Sequence, residues 1–282
     1  MQPIRIIAAS VAAAILLATP VYGQTPSPTQ KPLFEIGVFG YGGYFPDYPG
    51  SAQNHFKFLP LPFFIYRGSF LRMTPQSVSG VFIENKTLHF DLSASGAFHT
   101  GSNDTARYGM PKLQDMAEVG PRLNLVLARD AQTARIEFEV PVRAVFSTEF
   151  KSIDYRGWRI APEIAYIQDN LWNTGGRLKL GIEGDYADGQ LMNYFYGVAP
   201  QYVTSTRGRF AAHAGYMGSS LDASYLIPLN RRTTLYTRVS GSYYGGATNA
   251  ASPLLKSDWN FTTAAGLTFS FYQSDEMVPD RE

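Results

Sequence analysis

Residues 134–146, ARIEFEVPVRAVF, alternate strictly. Ile136, Phe138, Val140, Val142, Ala144 and Phe146 are apolar, and Arg135, Glu137, Glu139 and Arg143 stand between them. A period of two puts these sets on opposite faces of one β-strand. The pattern recurs along the chain. LHFDLSASGAF (88–98) sets Leu88, Phe90 and Leu92 against His89, Asp91 and Ser93. WRIAPEIAYI (158–167) sets Trp158, Ile160, Ile164 and Tyr166 against Arg159 and Glu163. RLKLGIEGDY (177–186) sets Leu178, Leu180 and Ile182 against Arg177, Lys179, Glu183 and Asp185. WNFTTAAGLTFSF (259–271) sets Trp259, Phe261, Leu267, Phe269 and Phe271 against Asn260, Thr262, Thr268 and Ser270. After residue 33 no long stretch repeats apolar residues at helical spacing, so an all-β chain without helices is expected.

The connections alternate too. Tight turns fall near Arg67-Gly68, Asn85-Lys86, Asp130-Ala131, 173–176 and Asn230-Arg231. Longer ones fall near 45–55, 99–113, 149–156, 189–209 and 246–257. Short turns at one end and long loops at the other mark a transmembrane antiparallel up-and-down β-barrel. Twelve strands are expected, at 34–44, 56–66, 69–75, 78–84, 87–98, 114–128, 133–147, 157–168, 176–188, 210–227, 232–245 and 258–271. If the stretch from 69 to 84, with Pro75 inside it, makes one excursion, the count is ten.

Alternation alone also fits a soluble sandwich, apolar toward a core and polar toward water. Strands of about 10–14 residues suit a tilted bilayer span instead. Aromatics near the strand ends suggest interfacial girdles: Tyr41, Tyr44, Phe63, Phe64, Tyr66, 194–196, Tyr243, Tyr244, Trp259, Phe269 and Phe271. Composition points the same way. Of 282 residues, 45% are hydrophobic and only 17% charged, against a usual charged fraction of about 25%. Less surface than usual faces water. The net charge of +1 leaves no electrostatic footprint for nucleic acid. With no cysteine there is no disulfide framework, no cysteine-based zinc site, no thiol nucleophile and no lipoprotein anchor.

The first residues read as a signal peptide, 1–23: Arg5, an apolar run over 6–18 too short to span a bilayer, then Pro20 and small residues at 21 and 23. A flexible periplasmic leader follows at 24–32, then the barrel at 33–272 and a polar tail at 273–282. The expected location is the outer membrane of a Gram-negative bacterium. Outer-membrane lipid surrounds the barrel, which is expected to be a monomer.

Several segments resemble the MipA/OmpV family, the MltA-interacting outer-membrane proteins. They are FGYGGYFPDYPGS (39–51), ARYGMPKLQDMAEVGPRLNLVLA (106–128), NYFYGV (193–198), FAAHAGYMG (210–218) and ASPLL (251–255). They run in family order over nearly all of the mature chain. GLTFSF (266–271) is similar to the signal by which outer-membrane barrels engage the barrel-assembly machinery, although this chain continues to Glu282. The resemblance implies either a periplasm-facing scaffold joining a murein hydrolase to a murein synthase, or a porin-like or adhesive surface protein. It transfers no catalytic residue and implies no cofactor.

Reading the residues for chemistry yields little. GAFHTGSND (96–104) is similar to the active stretch of outer-membrane phospholipases, which need His and Ser two apart on one face. Here His99 and Ser102 are three apart, so a strand would point them to opposite faces. His55, His89 and His213 lack ligand spacing, and no metal site is expected. His89 and Asp91 share a face and suit an ion pair. The strongest candidate is the charged face: Arg135, Glu137, Glu139, Arg143, Arg159, Glu163, Arg177, Lys179, Glu183 and Asp185, with Glu118, Arg122 and Arg238 beside it. These residues fit two roles, a salt-bridged strut filling a narrow lumen or a charged constriction of a small pore. Twelve strands lie between filled and open barrels, so size does not choose.

Overall fold

The computed structural model describes residues 30–74, 77–97, 105–130, 133–148 and 152–279. The signal peptide and residues 24–29 of the leader lie outside them, as do His99, Ser102 and the residues after 279. The strands are β1 (Gln30–Pro32), β2 (Phe34–Pro46), β3 (Asn54–Arg67), β4 (Leu71–Met73), β5 (Ser77–Glu84), β6 (Leu88–Ala97), β7 (Asp115–Arg129) and β8 (Ala134–Thr148). They continue with β9 (Ile153–Ile160), β10 (Glu163–Leu171), β11 (Gly176–Ala187), β12 (Gly215–Pro228), β13 (Thr233–Tyr243), β14 (Trp259–Gln273) and β15 (Met277–Pro279).

From β2 to β14 every neighbouring pair is antiparallel, and β14 returns to pair with β2 from Thr263↔Tyr44 to Gln273↔Glu35. The sheet is a closed barrel. β9 and β10 are two halves of one wall strand, since both pair with β8 on one side and β11 on the other. The break falls at Ala161-Pro162, where Pro162 has no N–H to give. The ladder survives it: Ala161 N donates to Pro141 O (3.3 Å) and Gly184 N to Pro162 O (3.0 Å). Counting that strand once, the wall has twelve strands, and the ten-strand alternative is set aside. β4 is only 3 residues long. At the turn end, β1 pairs with β15, Gln30↔Pro279 to Pro32↔Met277. The end of the leader and part of the tail thus form a two-stranded ribbon beside the barrel.

Alternation sorts the side chains as expected. Ile136, Val142, Trp158, Ile164, Leu180, Ile182, Phe261, Leu267 and Phe269 are exposed toward lipid, while Asp91, Ser93, Glu118 and Ser270 on the other parity are buried inside.

Two expectations fail. The chain does contain helix: α1 (Gly189–Tyr196) and 3-10 turns at Thr105–Arg107 and Pro200–Tyr202. The Asp188 side chain caps α1, its Oδ1 accepting from Leu191 N at 2.9 Å, which satisfies a donor the helix cannot. In addition, not every aromatic belongs to a girdle. Tyr44, Phe64, Tyr243, Trp259, Phe269 and Phe271 are exposed, but Phe63, Tyr196 and Tyr244 are buried. Tyr41 stacks inward on Phe39 at 5.7 Å between ring centroids.

Candidate functional site

The barrel interior holds two structures one above the other. Its middle and turn end carry the charged face, and its loop end is closed by a cap.

Each of the sequence-selected charges on β8, β10 and β11, and Arg159 on β9, meets an opposite charge, across the strands for all but Glu137, whose partner Arg135 is on its own strand. Nearest the turns, Arg135 donates to Glu137 Oε1 and to Asp169 Oδ2, both at 2.5 Å, and Arg177 also donates to Asp169. Glu137 accepts in addition from Asn124 Nδ2 at 2.7 Å. In the middle, Lys179 Nζ donates to Glu163 Oε2 at 2.5 Å. Arg122 grips Asp91 through Nε (3.0 Å) and Nη2 (2.5 Å), and its Nη1 lies 3.8 Å from Glu139. His89 Nε2 sits 3.2 Å from Asp91, the expected pair. Nearest the cap, Arg159 faces three carboxylates: Glu118 (3.3 Å), Glu183 (2.9 Å) and Asp185. Arg143 lies 3.5 Å from Glu118 and donates to Ser95 Oγ at 2.6 Å. On the neighbouring strands Arg238 pairs with Asp222. A cavity of about 60 Å³ remains among Glu118, Glu139, Arg143, Arg159 and Glu183, room for a few waters. Among the described residues no group of three or more His, Asp or Glu is placed to hold a metal ion.

Asp169 was missed from the sequence because the strand was expected to end at 168. Continuing the alternation of 163, 165 and 167 by one step would have found it.

The cap is built from the long loops. Leu191, Met192, Phe195 and Tyr196 of α1 pack with Tyr48, Leu113, Met116, Val145, Ala187, Ala212 and Met217. Met192 and Tyr196 are 0% exposed. Fully burying a side chain of this size contributes roughly 1.5–3 kcal/mol. Polar contacts lock the loops together. Tyr48 Oη donates to Leu254 O (2.6 Å), Ser252 Oγ to Tyr196 O (2.8 Å) and Arg107 Nη1 to Phe195 O (2.8 Å). Asn249 accepts from His213 N and donates to His213 O. Asn193 does the same with Ala212. Gly157 has φ +118, and a Cβ there would lie 2.1 Å from Asp188 Oδ1. The glycine therefore makes room for the carboxylate that caps α1. The strand expected from residue 210 starts only at Gly215 because 210–214 serve the cap.

The five segments that carry the family resemblance converge here. Tyr48 comes from the first, Arg107, Leu113 and Met116 from the second, and Asn193, Phe195 and Tyr196 from the third. Ala212 and Met217 belong to the fourth, Ser252 and Leu254 to the fifth.

A family model described as "MltA-interacting protein MipA" matches residues 38–271. No curated protein matches the chain in sequence. Among solved structures it is similar to a bacterial polysaccharide outer membrane secretin, with 10% identity, 86% of this chain and 99% of that one covered, and a TM-score of 0.38. It is similar to outer membrane phospholipase A from Escherichia coli, with 9% identity, coverage of 83% and 92%, and a TM-score of 0.33. CarO of Acinetobacter baumannii gives 10% identity, coverage of 85% and 98%, and a TM-score of 0.22. Likenesses at these scores carry no inference about activity.

Two outcomes are expected from this geometry. Arg159→Ala leaves Glu118, Glu183 and Asp185 without their shared cation and is expected to destabilise the barrel by about 3 kcal/mol. Asp154→Asn, which removes the partly exposed Arg156–Asp154 pair, should cost no more than about 1 kcal/mol. Equilibrium unfolding in urea on lipid vesicles measures both. The second outcome concerns pH. Burial holds the Tyr196 hydroxyl well above the ordinary value of 10.0 and pushes Tyr244 up to about 12. Both ionise more readily once the cap opens. Their contribution is therefore complete below pH 10 and is lost as pH rises toward 12. Protease cleavage of the 188–214 loop is expected to begin in that window, together with tyrosinate absorbance.

Proposed function

Because the chain belongs to the family of the MltA-interacting protein MipA, we propose that this outer-membrane barrel is a non-enzymatic envelope scaffold, closed along its axis, that holds murein-cleaving and murein-building enzymes at its periplasmic rim. The observation that carries the reading is the cap. Met192 and Tyr196 are fully buried in the loop-end mouth, above a lumen sector whose charges are paired with one another. Such a barrel spends its interior on stability and leaves its rims for contact. The family's namesake is described as interacting with MltA, which supports a partner of the same kind here. The turn end presents exposed cations, Lys86, Arg129, Arg231 and Arg232, suited to an acidic partner surface.

A narrow channel is the second reading. The small cavity among Glu118, Arg143, Arg159 and Glu183, with room for a few waters, favours it, since a mixed-charge constriction there would select ions if the cap moved.

Single-channel recording in a planar bilayer decides between them. Refolded wild type is expected to be silent, and Leu191→Asp with Phe195→Asp, which unseats α1, to give current. Steady wild-type conductance, altered in selectivity by Arg159→Gln, would establish the channel instead. The scaffold role is tested by capture of a purified murein hydrolase on the detergent-solubilised barrel. Arg231→Glu with Arg232→Glu is expected to weaken capture about tenfold, roughly 1.4 kcal/mol. Capture that is absent, or unchanged by these substitutions, removes the scaffold reading.

A further inference from the structure

The wall is not of even height. β3 has 14 residues, but β4 beside it has only 3. β3 meets β4 through Tyr66↔Met73 and Arg67↔Arg72 alone, at the turn end. From Asn54 to Ile65, among the described residues, β3 has no strand partner on that side. At about 3.4 Å per residue this is roughly 40 Å of strand edge. β5 adds 8 residues, pairs antiparallel with β4 from Met73↔Val78 to Leu71↔Gly80, and from there runs down toward the turns. A lateral notch therefore stands above the β4–β5 hairpin, in the half of the wall toward the loops.

The sequence of that edge fits its exposure. Arg67 N donates to Leu33 O across the β2–β3 pair, and the register is unbroken from Phe34↔Tyr66 to Pro46↔Asn54. Odd-numbered residues of β3 thus direct their backbone groups toward β2, and even-numbered ones toward the notch. Pro60 and Pro62 are both even. They remove two N–H groups where none could be paired, as prolines do on edge strands, and they deny a docking strand its ladder. A second β-edge is therefore the wrong occupant.

The interior behind the notch differs from the charged sector. The inward residues of β3 are Leu59, Leu61 and Phe63, and those of β2 are Phe39, Tyr41 and Phe45. Leu61 points inward yet is 37% exposed, while Phe63 beside it is 6% exposed. Outside, Phe56, Phe58 and Phe64 on β3 are exposed with Phe70 and Phe82 below, so the notch is continuous with the lipid-facing surface. Lys57 stands on the same inner face nearer the loops.

We propose that the notch admits an acyl chain of an outer-leaflet membrane lipid, which lies against Leu59, Leu61 and the partly buried rings of Tyr41 and Phe45. Among the described residues the notch leaves the β3 edge unpaired toward the lipid side, while the cap covers the loop end. The proposal stands whether or not the barrel serves as a scaffold.

The test is tryptophan quenching by acyl chains. Trp158, Trp172 and Trp259 are replaced by Phe, and one tryptophan is returned at Leu61→Trp, with Leu59→Trp as the second inward site should the first misfold. Phe58→Trp reports a lipid-facing position and Tyr196→Trp a sequestered one. Folded protein is placed in phosphatidylcholine vesicles brominated on the acyl chains. Fluorescence at 61 or 59 is expected to fall nearly as far as at 58, with position 196 unaffected. Losses at 61 and 59 no greater than at 196 overturn the proposal. So does quenching by added brominated fatty acid but not by brominated phospholipid, which would assign the space to a free acid.

Discussion

Inside hydrocarbon no water is available to bond a peptide group, so each backbone N–H and C=O must find its partner within the chain. That constraint explains why β14 returns to β2 and why the wall closes. It explains the repair at Ala161-Pro162, where Ala161 N and Pro162 O each find an alternative partner across the strand. It also gives meaning to Pro60 and Pro62. Along the one long stretch of edge that the described wall leaves unpaired, two donors have been deleted from the chain rather than left unbonded.

Closure creates the second problem, an interior that alternation fills with whatever the lipid face refuses. The chain answers it by sector. From β6 to β13 the inward face carries the long charged side chains, from Asp91 to Arg238, and the paired geometry lets these ions see their opposites at low dielectric. On β14 they are small, with Asn260, Ala264 and Ser270 buried. On β2 and β3 they are aromatic and aliphatic. A cap made of one short helix and three other loop segments then shields the loop end.

What could be read from residue order follows from this division. Lipid and lumen faces were legible because a charge on the wrong face is costly, so the period-two pattern is nearly unbroken in β8, β10 and β11. The strands expected at 69–75 and 78–84 are β4 and β5, but the ten-strand alternative stood beside them because a strand of 3 residues such as β4 carries too little alternation to register by itself. α1 was missed for a similar reason. Leu191, Phe195 and the capping Asp188 do carry helical spacing, but only over two turns, and their apolar side had no visible surface to bury against until four loops met. The lumen charges were legible as a set but not as pairs, because partners such as Arg159 and Glu118 are joined only by the order of strands around the wall.

The ribbon of β1 and β15 lies at the same seam as β14 and β2. Leu33 N donates to Glu276 O, and Ser274 N to Phe34 O, so segments from opposite ends of the chain are stitched together over a length greater than the barrel pairing alone. The seam is thus the contact of longest sequence separation, and every other strand pair is a local hairpin or its neighbour. Assembly of such a molecule has a natural order: hairpins can grow one after another while the sheet stays open. The last segment to arrive then works as a latch, turning a curved ribbon into a ring.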